Sequence, residues 1–295
     1  METIEIKSFS IVIVTFNSHN FIRSCVESIY NNINIPENEV EIIIIDNSNA
    51  KNHKILSDVL LNCPHRVILY HNSKNGGYGQ GNNIGLRLAK AKYVCIVNPD
   101  VLFIKPIIKE ALYQFKKDER LAMIGGKQFG GLNISFWIRP EYDFFLITAP
   151  LSILLNKLNL YFHRFYYLSG ALLIVDKEKF EEIGLFDEEM FLYCEEADIT
   201  KRFANANYHT KYVKEFQYKH LIDDRSEVST GSFNALMQST QKYLRKHNFS
   251  FANFLQRKIV SYNVLKFVYA IIGKSRKSDE AKSFLSKYKK LKQNL

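Results

Sequence analysis

The sequence predicts an α/β fold: a mostly parallel sheet with helices on both faces, followed by a helical, basic C-terminal region. Three observations predict it. Apolar, β-branched runs alternate with segments of helical period through the first half of the chain. Three of those runs end in polar residues that a parallel sheet delivers to one edge, where such sheets bind ligands. Beyond Ser232 the pattern turns helical and the charge turns positive.

Phe9 to Thr15 is an unbroken apolar and β-branched run, suited to a strand buried on both faces. Asn17 or Ser18 then caps a helix whose Phe21, Ile22, Cys25, Val26 and Ile29 follow helical spacing. Val40 to Ile45 is a second buried strand ending in Asp46-Asn47-Ser48, and Arg66 to Tyr70 a third, weaker one. Leu86 to Ala91 reads as a helix and Tyr93 to Val97 as the fourth strand, which Asn98-Pro99-Asp100 stops. Pro99 lacks an N–H and disfavours helix at Asn98, so Asp100 is placed in the crevice beyond the strand end. Ile107 to Lys117 is a further helix. After Gly125-Gly126 the alternation fades. Tyr166 to Val175 reads as a strand interrupted by Ser169-Gly170, Lys177 to Ile183 as a short helix and Glu196 to Ala206 as a longer one.

A chain of 295 residues with 46% hydrophobic side chains can bury a substantial core. Its net charge of +10 suggests an anionic partner, whether nucleic acid, nucleotide or an acidic membrane surface. Cys25, Cys63, Cys95 and Cys194 show no C-x-x-C spacing and read as reduced thiols of a cytoplasmic protein. Met1 to Lys7 carries charges where an export signal needs an apolar core. No segment reaches the ~20 uninterrupted apolar residues of a membrane span. The nearest approach, Phe144 to Leu155, contains Pro150 and is a segment for a core or for a membrane face. The tail carries Lys274, Arg276, Lys277, Lys282, Lys287, Lys289, Lys290 and Lys292 against Asp279 and Glu280.

Three strand ends converge: Thr15-Phe16-Asn17, Asp46-Asn47-Ser48 and Asn98-Pro99-Asp100. Asp46 is a candidate to accept hydrogen bonds from a base or ribose, or equally a turn-forming Asx residue. Asp100 is a candidate to hold a divalent cation against a diphosphate. Asn75 to Gly85 is rich in Gly and Asn, and reads as a loop through which backbone approaches a ligand before a helix N-terminus that favours anions. It is no P-loop, since no Gly-Lys-Ser/Thr follows. Glu195-Glu196-Ala197-Asp198 opens a helix after the apolar Phe191-Leu192-Tyr193-Cys194. Such carboxylates are dipole partners or, if desolvated, a general base with a raised pKa. Asp198 faces elsewhere and reads as structural. His220 stands alone in the sequence, where a histidine is usually no ligand. Trp137 and Phe165-Tyr166-Tyr167 are core aromatics or sugar-stacking faces.

Together these residues resemble the inverting family-2 glycosyltransferases of GT-A fold, especially rhamnosyltransferase-like bacterial members, over most of Phe9 to Phe203. Ser10 to Asn17 is similar to the family's first strand, Glu41 to Ser48 to the strand whose terminal Asp reads the base, and Asn75 to Gly85 to the donor loop. Asn98-Pro99-Asp100 stands at the D-x-D position, with Asn98 replacing the first acid. Ser169-Gly170-Ala171 resembles the acceptor-side strand, and Phe191 to Asp198 the catalytic segment, with Glu196 where the family has Asp. The resemblance implies Glu196 as base with Glu195 its rival, and donor contacts from Thr15, Phe16, Asn17, Asp46, Asn75, Gly77, Asn83, Asn98 and Asp100. It also implies Mg²⁺ or Mn²⁺ on Asp100, with His220 as a second candidate ligand. The implied domains are a glycosyltransferase domain over 1–230, split near 126 into donor and acceptor parts, and a helical extension over 231–295. The implied partners are a nucleoside-diphosphate sugar such as dTDP-rhamnose or a UDP-hexose, and a saccharide or polyprenyl-linked acceptor in surface polysaccharide synthesis. Nucleic acid is not among them. The Gln-x-x-Arg-Trp motif of processive synthases is absent. Peripheral attachment to the inner membrane face is suggested by the basic tail and the 144–155 segment.

Two other classes fit parts of the sequence. An NAD(P)-dependent Rossmann oxidoreductase would use the Gly79 loop, but that loop follows the third strand rather than the first. A non-catalytic nucleotide- or nucleic-acid-binding protein fits the charge but leaves Glu195-Glu196 idle.

Overall fold

Strands β1 (Phe9–Thr15), β2 (Val40–Asp46) and β4 (Tyr93–Val97) form where the apolar runs lie, in a computed structural model that describes residues 7–130, 133–221 and 230–295. Met1 to Ile6, part of the N-terminal reading above, lie outside the described residues. The eight-stranded sheet has the order β3-β2-β1-β4-β9-β6-β10-β5, completed by β3 (Ile68–His71), β5 (Val101–Phe103), β6 (Leu121–Phe129), β9 (Leu172–Asp176) and β10 (His209–His220). Only β9 and β5 run against the others in this sheet. Alternate residues of β1 point to opposite faces. Phe9, Ile11 and Ile13 pack on α1 (His19–Tyr30) through Ile22, Cys25, Val26 and Ile29. Val12 joins Leu86 of α3 (Gly77–Leu88) and Phe203 of α7 (Glu195–Asn205) on the other face.

The third strand lies two residues later at its start than the apolar pattern suggests, at Ile68–His71. The larger correction is α3, which already begins at Gly77, so most of the Asn/Gly-rich stretch is helix rather than loop. Its glycines serve packing. A Cβ on Gly81 or Gly85 would lie 2.7 or 2.2 Å from Val14 or Val12, so only glycine lets the helix lie this close to β1.

The fading alternation after Gly125 conceals β6 and β10. Gly125 and Gly126 sit inside β6, parallel to β10, and the register slips between Val213 and Gln217. The buried residues of β10 therefore fall at 210, 213, 216 and 218, which erases the period of two. A Cβ on Gly126 would lie 2.2 Å from the Phe216 carbonyl oxygen, a backbone atom that cannot rotate away. Gly126→Ala is expected to cost about 2 kcal/mol, read as a lower urea midpoint with unchanged slope.

Tyr166 to Val175 is not one interrupted strand. β8 (Tyr166–Leu168) pairs with β7 (Phe136–Ile138) in a separate two-stranded sheet, and the chain turns at Ser169-Gly170 before β9 enters the main sheet. Helices α2 (Ala50–Leu61), α4 (Ile108–Lys117) and α6 (Lys177–Glu182) complete the α/β layers. The apolar 144–155 segment is the bulk of α5 (Phe145–Leu158). Helices α8 (Thr230–Lys246), α9 (Phe251–Ile271) and α10 (Ser275–Gln293) form the C-terminal region and build a third core with α7 around Tyr243, Phe254 and Leu255.

Candidate active site at the sheet edge

Parallel strands deliver their C-terminal ends, and antiparallel strands their N-terminal ends, to the same edge. That edge carries Thr15-Phe16-Asn17, Asp46, Asn98-Pro99-Asp100, Gly170-Ala171 and His220. β5 and β10 pair antiparallel with Val101 opposite His220, which brings His220 Nε2 to 3.1 Å from Asp100 Oδ1 across 120 positions of sequence. The histidine that stands alone in the chain thus meets the carboxylate at the D-x-D position.

Asn98 is held by its backbone, its N–H donating to the Ala171 carbonyl at 3.0 Å. Gly170, next in the chain, lies against Glu196: a Cβ there would come within 1.8 Å of Glu196 Oε1. Tyr78 donates its hydroxyl to the Gly170 carbonyl at 2.8 Å. Asn98, Tyr78, Gly170, Glu195, Glu196 and His220 line one cavity of about 710 Å³. Its far walls are α5, through Phe145 and Ser152, and the C-terminal helices, through Met237, Phe254 and Tyr288. The C-terminal region therefore shapes the pocket.

Glu195 and Glu196 open α7, preceded by two non-glycine residues in left-handed conformation, Tyr193 (φ 74°) and Cys194 (φ 68°). Such backbone costs free energy and is held by its surroundings, here burial of Cys194. Burial pushes the Glu196 carboxyl up to about 7. Burial and then the charge of Glu196 push Glu195 well above the usual range, and its Oε1 is buried without a protein partner. Asp198 behaves oppositely. Although burial alone would raise it, the hydrogen bond to His247 and the charges of Arg202 and Lys246 hold its carboxyl below the usual range. The partners lie at 2.8, 2.8 and 3.0 Å. A depressed carboxyl stabilises the fold at neutral pH, and that contribution is lost as pH falls through its folded-state value. Asp198→Ala, removing the buried carboxylate that Arg202, Lys246 and His247 share, is expected to cost about 2 kcal/mol in urea unfolding at pH 7 and less in strong acid. Asp198 is a strut between α7 and α8, as its position in the sequence suggests.

Several expected donor contacts are placed differently. Asp46 is 0% exposed; it accepts from Thr15 Oγ1 at 2.9 Å and Ser48 N–H at 3.1 Å, and its other oxygen lies 2.8 Å from His53 Nδ1. This is the Asx-turn arrangement, and Thr15, also buried, serves it. Asn83 is buried in α3, donating to the Phe186 carbonyl and Glu188 and accepting from Phe186 N–H, so its amide holds the 186–188 turn rather than facing the edge. Gly77 (φ 89°) is packed against the Phe191 carbonyl. The amides expected to await an anion at the α3 N-terminus are occupied: Gly76, Gly77 and Tyr78 N–H donate to Gln80, Asn75 and Phe191 respectively. Phe16, Asn17 and Asn75 are exposed. Of the aromatics, Tyr166 is core, whereas Trp137 and Tyr167 line the cavity. Tyr78 is the site residue that sequence reading missed; its signal is a lone bulky aromatic among glycines.

Residues 10–184, more than half the chain, match the family described as Glycosyl transferase family 2. The chain belongs to that family. This family-2 chain is 26% identical over 269 residues to the rhamnosyltransferase WbbL of Escherichia coli K12, covering 83% of this chain and 96% of WbbL. It is 24% identical over 195 residues to the glycosyltransferase GlyG of Streptococcus pneumoniae serotype 4, a match spanning 62% of this chain and 63% of that protein. Among solved structures, the mannosyltransferase PcManGT of Pyrobaculum calidifontis, in complex with GDP-Man and Mn²⁺, superposes with TM-score 0.60 at 13% identity, covering 98% of this chain and 87% of that one. Its likeness shows the fold, GT-A, which is the fold the sequence resemblance implied.

Proposed function

We propose that this family-2 glycosyltransferase moves a sugar from a nucleoside diphosphate to an acceptor hydroxyl in one displacement, with inversion. The observation that carries the reading is the placement of Glu196 and His220 on one cavity, with Asp100 Oδ1 3.1 Å from His220 Nε2. Glu196, with its carboxyl near 7, takes the proton of the acceptor hydroxyl; that oxygen bonds to the anomeric carbon as the bond to the diphosphate breaks and the nucleoside diphosphate leaves. Gly170 leaves room for the carboxylate, and burial together with the charge of Glu196 raises the Glu195 carboxyl, which disfavours a second charge beside it. Phe16, Asn17, Asn75 and Asn98 are the donor contacts, and Asp46 and Thr15 support that edge from below.

Among the described residues no group of three or more His, Cys, Asp or Glu side chains is placed to hold a metal ion. The carboxylate–imidazole pair nevertheless fits a divalent cation bound jointly with a diphosphate, because Mg²⁺ and Mn²⁺ commonly take few protein ligands and fill the rest with phosphate oxygens and water. Asp100 and His220 would hold it, and it would neutralise charge growing on the leaving diphosphate.

The donor is dTDP-rhamnose or a UDP-hexose, and the acceptor a saccharide, free or polyprenyl-linked, in bacterial surface polysaccharide synthesis. The likeness to a rhamnosyltransferase supports that reading. The enzyme would act in the cytoplasm at the inner membrane face. A thermal-shift comparison tests the class: nucleoside-diphosphate sugars with Mn²⁺ should raise the melting temperature, and protection by NADPH alone would indicate an oxidoreductase.

A further inference from the structure

The far wall of the cavity is largely apolar, carrying Phe145, Ile153, Met237 and Phe254, and one ion pair interrupts it. Lys258 of α9 is only 7% exposed, and its ammonium donates to Asp143 Oδ2. Both residues line the cavity. A charged pair in an apolar wall carries a desolvation cost that well-packed apolar side chains avoid, so stability alone does not account for it. Binding pockets have this composition: apolar walls with a few placed polar groups that orient the ligand.

The pair is held in place and has hydrogen-bonding capacity to spare. Arg257, next to Lys258, donates from Nε to the Asp143 carbonyl at 2.9 Å and from Nη2 to the Pro140 and Glu141 carbonyls at 3.3 and 3.2 Å. These bonds pin the Pro140–Tyr142 turn and Asp143 to α9. Thr148 donates its hydroxyl to Asp143 Oδ1 at 2.8 Å. The Lys258 ammonium stands 4.9 and 5.3 Å from the ring centroids of Phe145 and Phe254. A lysine ammonium has more than one N–H to donate, and among the described residues Asp143 is the one hydrogen-bond acceptor that Lys258 reaches. Each oxygen of the carboxylate has a second lone pair to offer. Donor and acceptor therefore stand side by side at the cavity wall, which is what adjacent hydroxyls of a sugar ring require.

Position assigns the pair to the acceptor. The donor diphosphate belongs to Asp100 and His220 at the sheet edge, whereas Asp143 and Lys258 belong to the far wall. Burial, then the charges of Cys194, Glu196 and Asp143, push the Tyr167 phenol well above its ordinary range, which places Tyr167 near both the base and the pair. Trp137 is 44% exposed on β7, the strand that leads into the Pro140–Tyr142 turn, and gives the cavity an aromatic face. An anionic group would meet Asp143, Glu195 and Glu196 in the same cavity against a lysine already neutralised, so the ligand is uncharged here. α9 lies beyond the residues 10–184 that match family 2, so Lys258 adds to the site from outside the matched part. We propose that Asp143, Lys258 and Trp137 form the acceptor subsite and select a neutral saccharide. One ring hydroxyl donates to Asp143, its neighbour accepts from Lys258, and the ring lies against Trp137. The assignment to the acceptor rests on the glycosyltransferase reading.

Emission of Trp137, the sole tryptophan, reads occupancy of the subsite. The full chain, in Mn²⁺ and whichever of UDP, dTDP or GDP calorimetry shows to bind, is titrated with methyl glycosides of glucose, galactose, rhamnose and N-acetylglucosamine, and with methyl glucuronide as the anionic arm. At least one neutral glycoside should change the emission saturably. Asp143→Asn and Lys258→Met should each weaken that binding about tenfold or more, since each removes a hydrogen bond to a charged group, while nucleoside-diphosphate affinity holds. The double variant separates binding from structure. With both charges gone no buried charge is left unpaired, so its urea midpoint should return close to wild type while glycoside binding stays lost. A double variant that regains both would make the pair a structural one and overturn the proposal. It is equally overturned by single variants that bind like wild type, by preference for the glucuronide, or by no response to any neutral glycoside. Nucleotide binding without glycoside binding removes the subsite alone. Binding of no nucleoside diphosphate removes the glycosyltransferase reading and with it the acceptor assignment.

Discussion

Glu196→Gln is expected to lower turnover about 10³-fold while leaving donor affinity unchanged, since a general base acts only in the transition state. Steady-state release of nucleoside diphosphate, beside calorimetry of donor binding, reads both quantities. The wild-type rate should rise with pH to a plateau above about 7, because only the ionised carboxylate accepts a proton and burial has pushed it there. The same shift has a stability consequence of opposite sign to that of Asp198. A raised carboxyl costs nothing below the ordinary value near 4.5, and its destabilising effect grows as pH climbs to about 7. Glu196→Gln should therefore be more stable than wild type at pH 8, by an amount on the order of 2 kcal/mol, and equal to it near pH 4. Glu195→Gln is the control. The Glu195 carboxyl is likewise raised by burial, but it is not the assigned base, so the variant should keep most of the activity. Near-normal turnover in Glu196→Gln with loss in Glu195→Gln would exchange their roles.

Asp100→Asn should weaken metal-dependent donor binding about 10–100-fold, with little effect on binding measured in EDTA. His220→Ala should act in the same direction, because the two side chains share one site at 3.1 Å. Calorimetry with and without Mn²⁺ separates a ligand from a bystander. If donor affinity in Mn²⁺ survives both substitutions, the cation does not sit there.

The legible part of the fold was the part with uniform burial. β1, β2 and β4 are covered on both faces, so their apolar runs have no competing period, and Pro99 ends β4 unambiguously. β10 was illegible because its bulge breaks the alternation that identifies strands, and α3 because glycines that permit helix–strand packing look like loop glycines in isolation. At the site, Glu195-Glu196 and Asp100 were readable as local signals. The Asp100–His220 pairing was not, because it exists only through the β5–β10 register. Asp46 and Asn83 are ambiguous in the sequence for a related reason. A polar residue at a strand end or helix start is equally suited to a ligand and to a neighbouring turn, and here the turns at Ser48 and Phe186 hold them.

Transfer from a nucleoside-diphosphate sugar is proposed at the edge formed by Asp100, His220 and Glu196. The most direct measurement is slow nucleoside-diphosphate release across a panel of donors in Mn²⁺, run on wild type and Glu196→Gln. Release from at least one donor is expected, dependent on the divalent cation and strongly reduced in the variant. Release from no donor, or release indifferent to both the cation and Glu196, would contradict it.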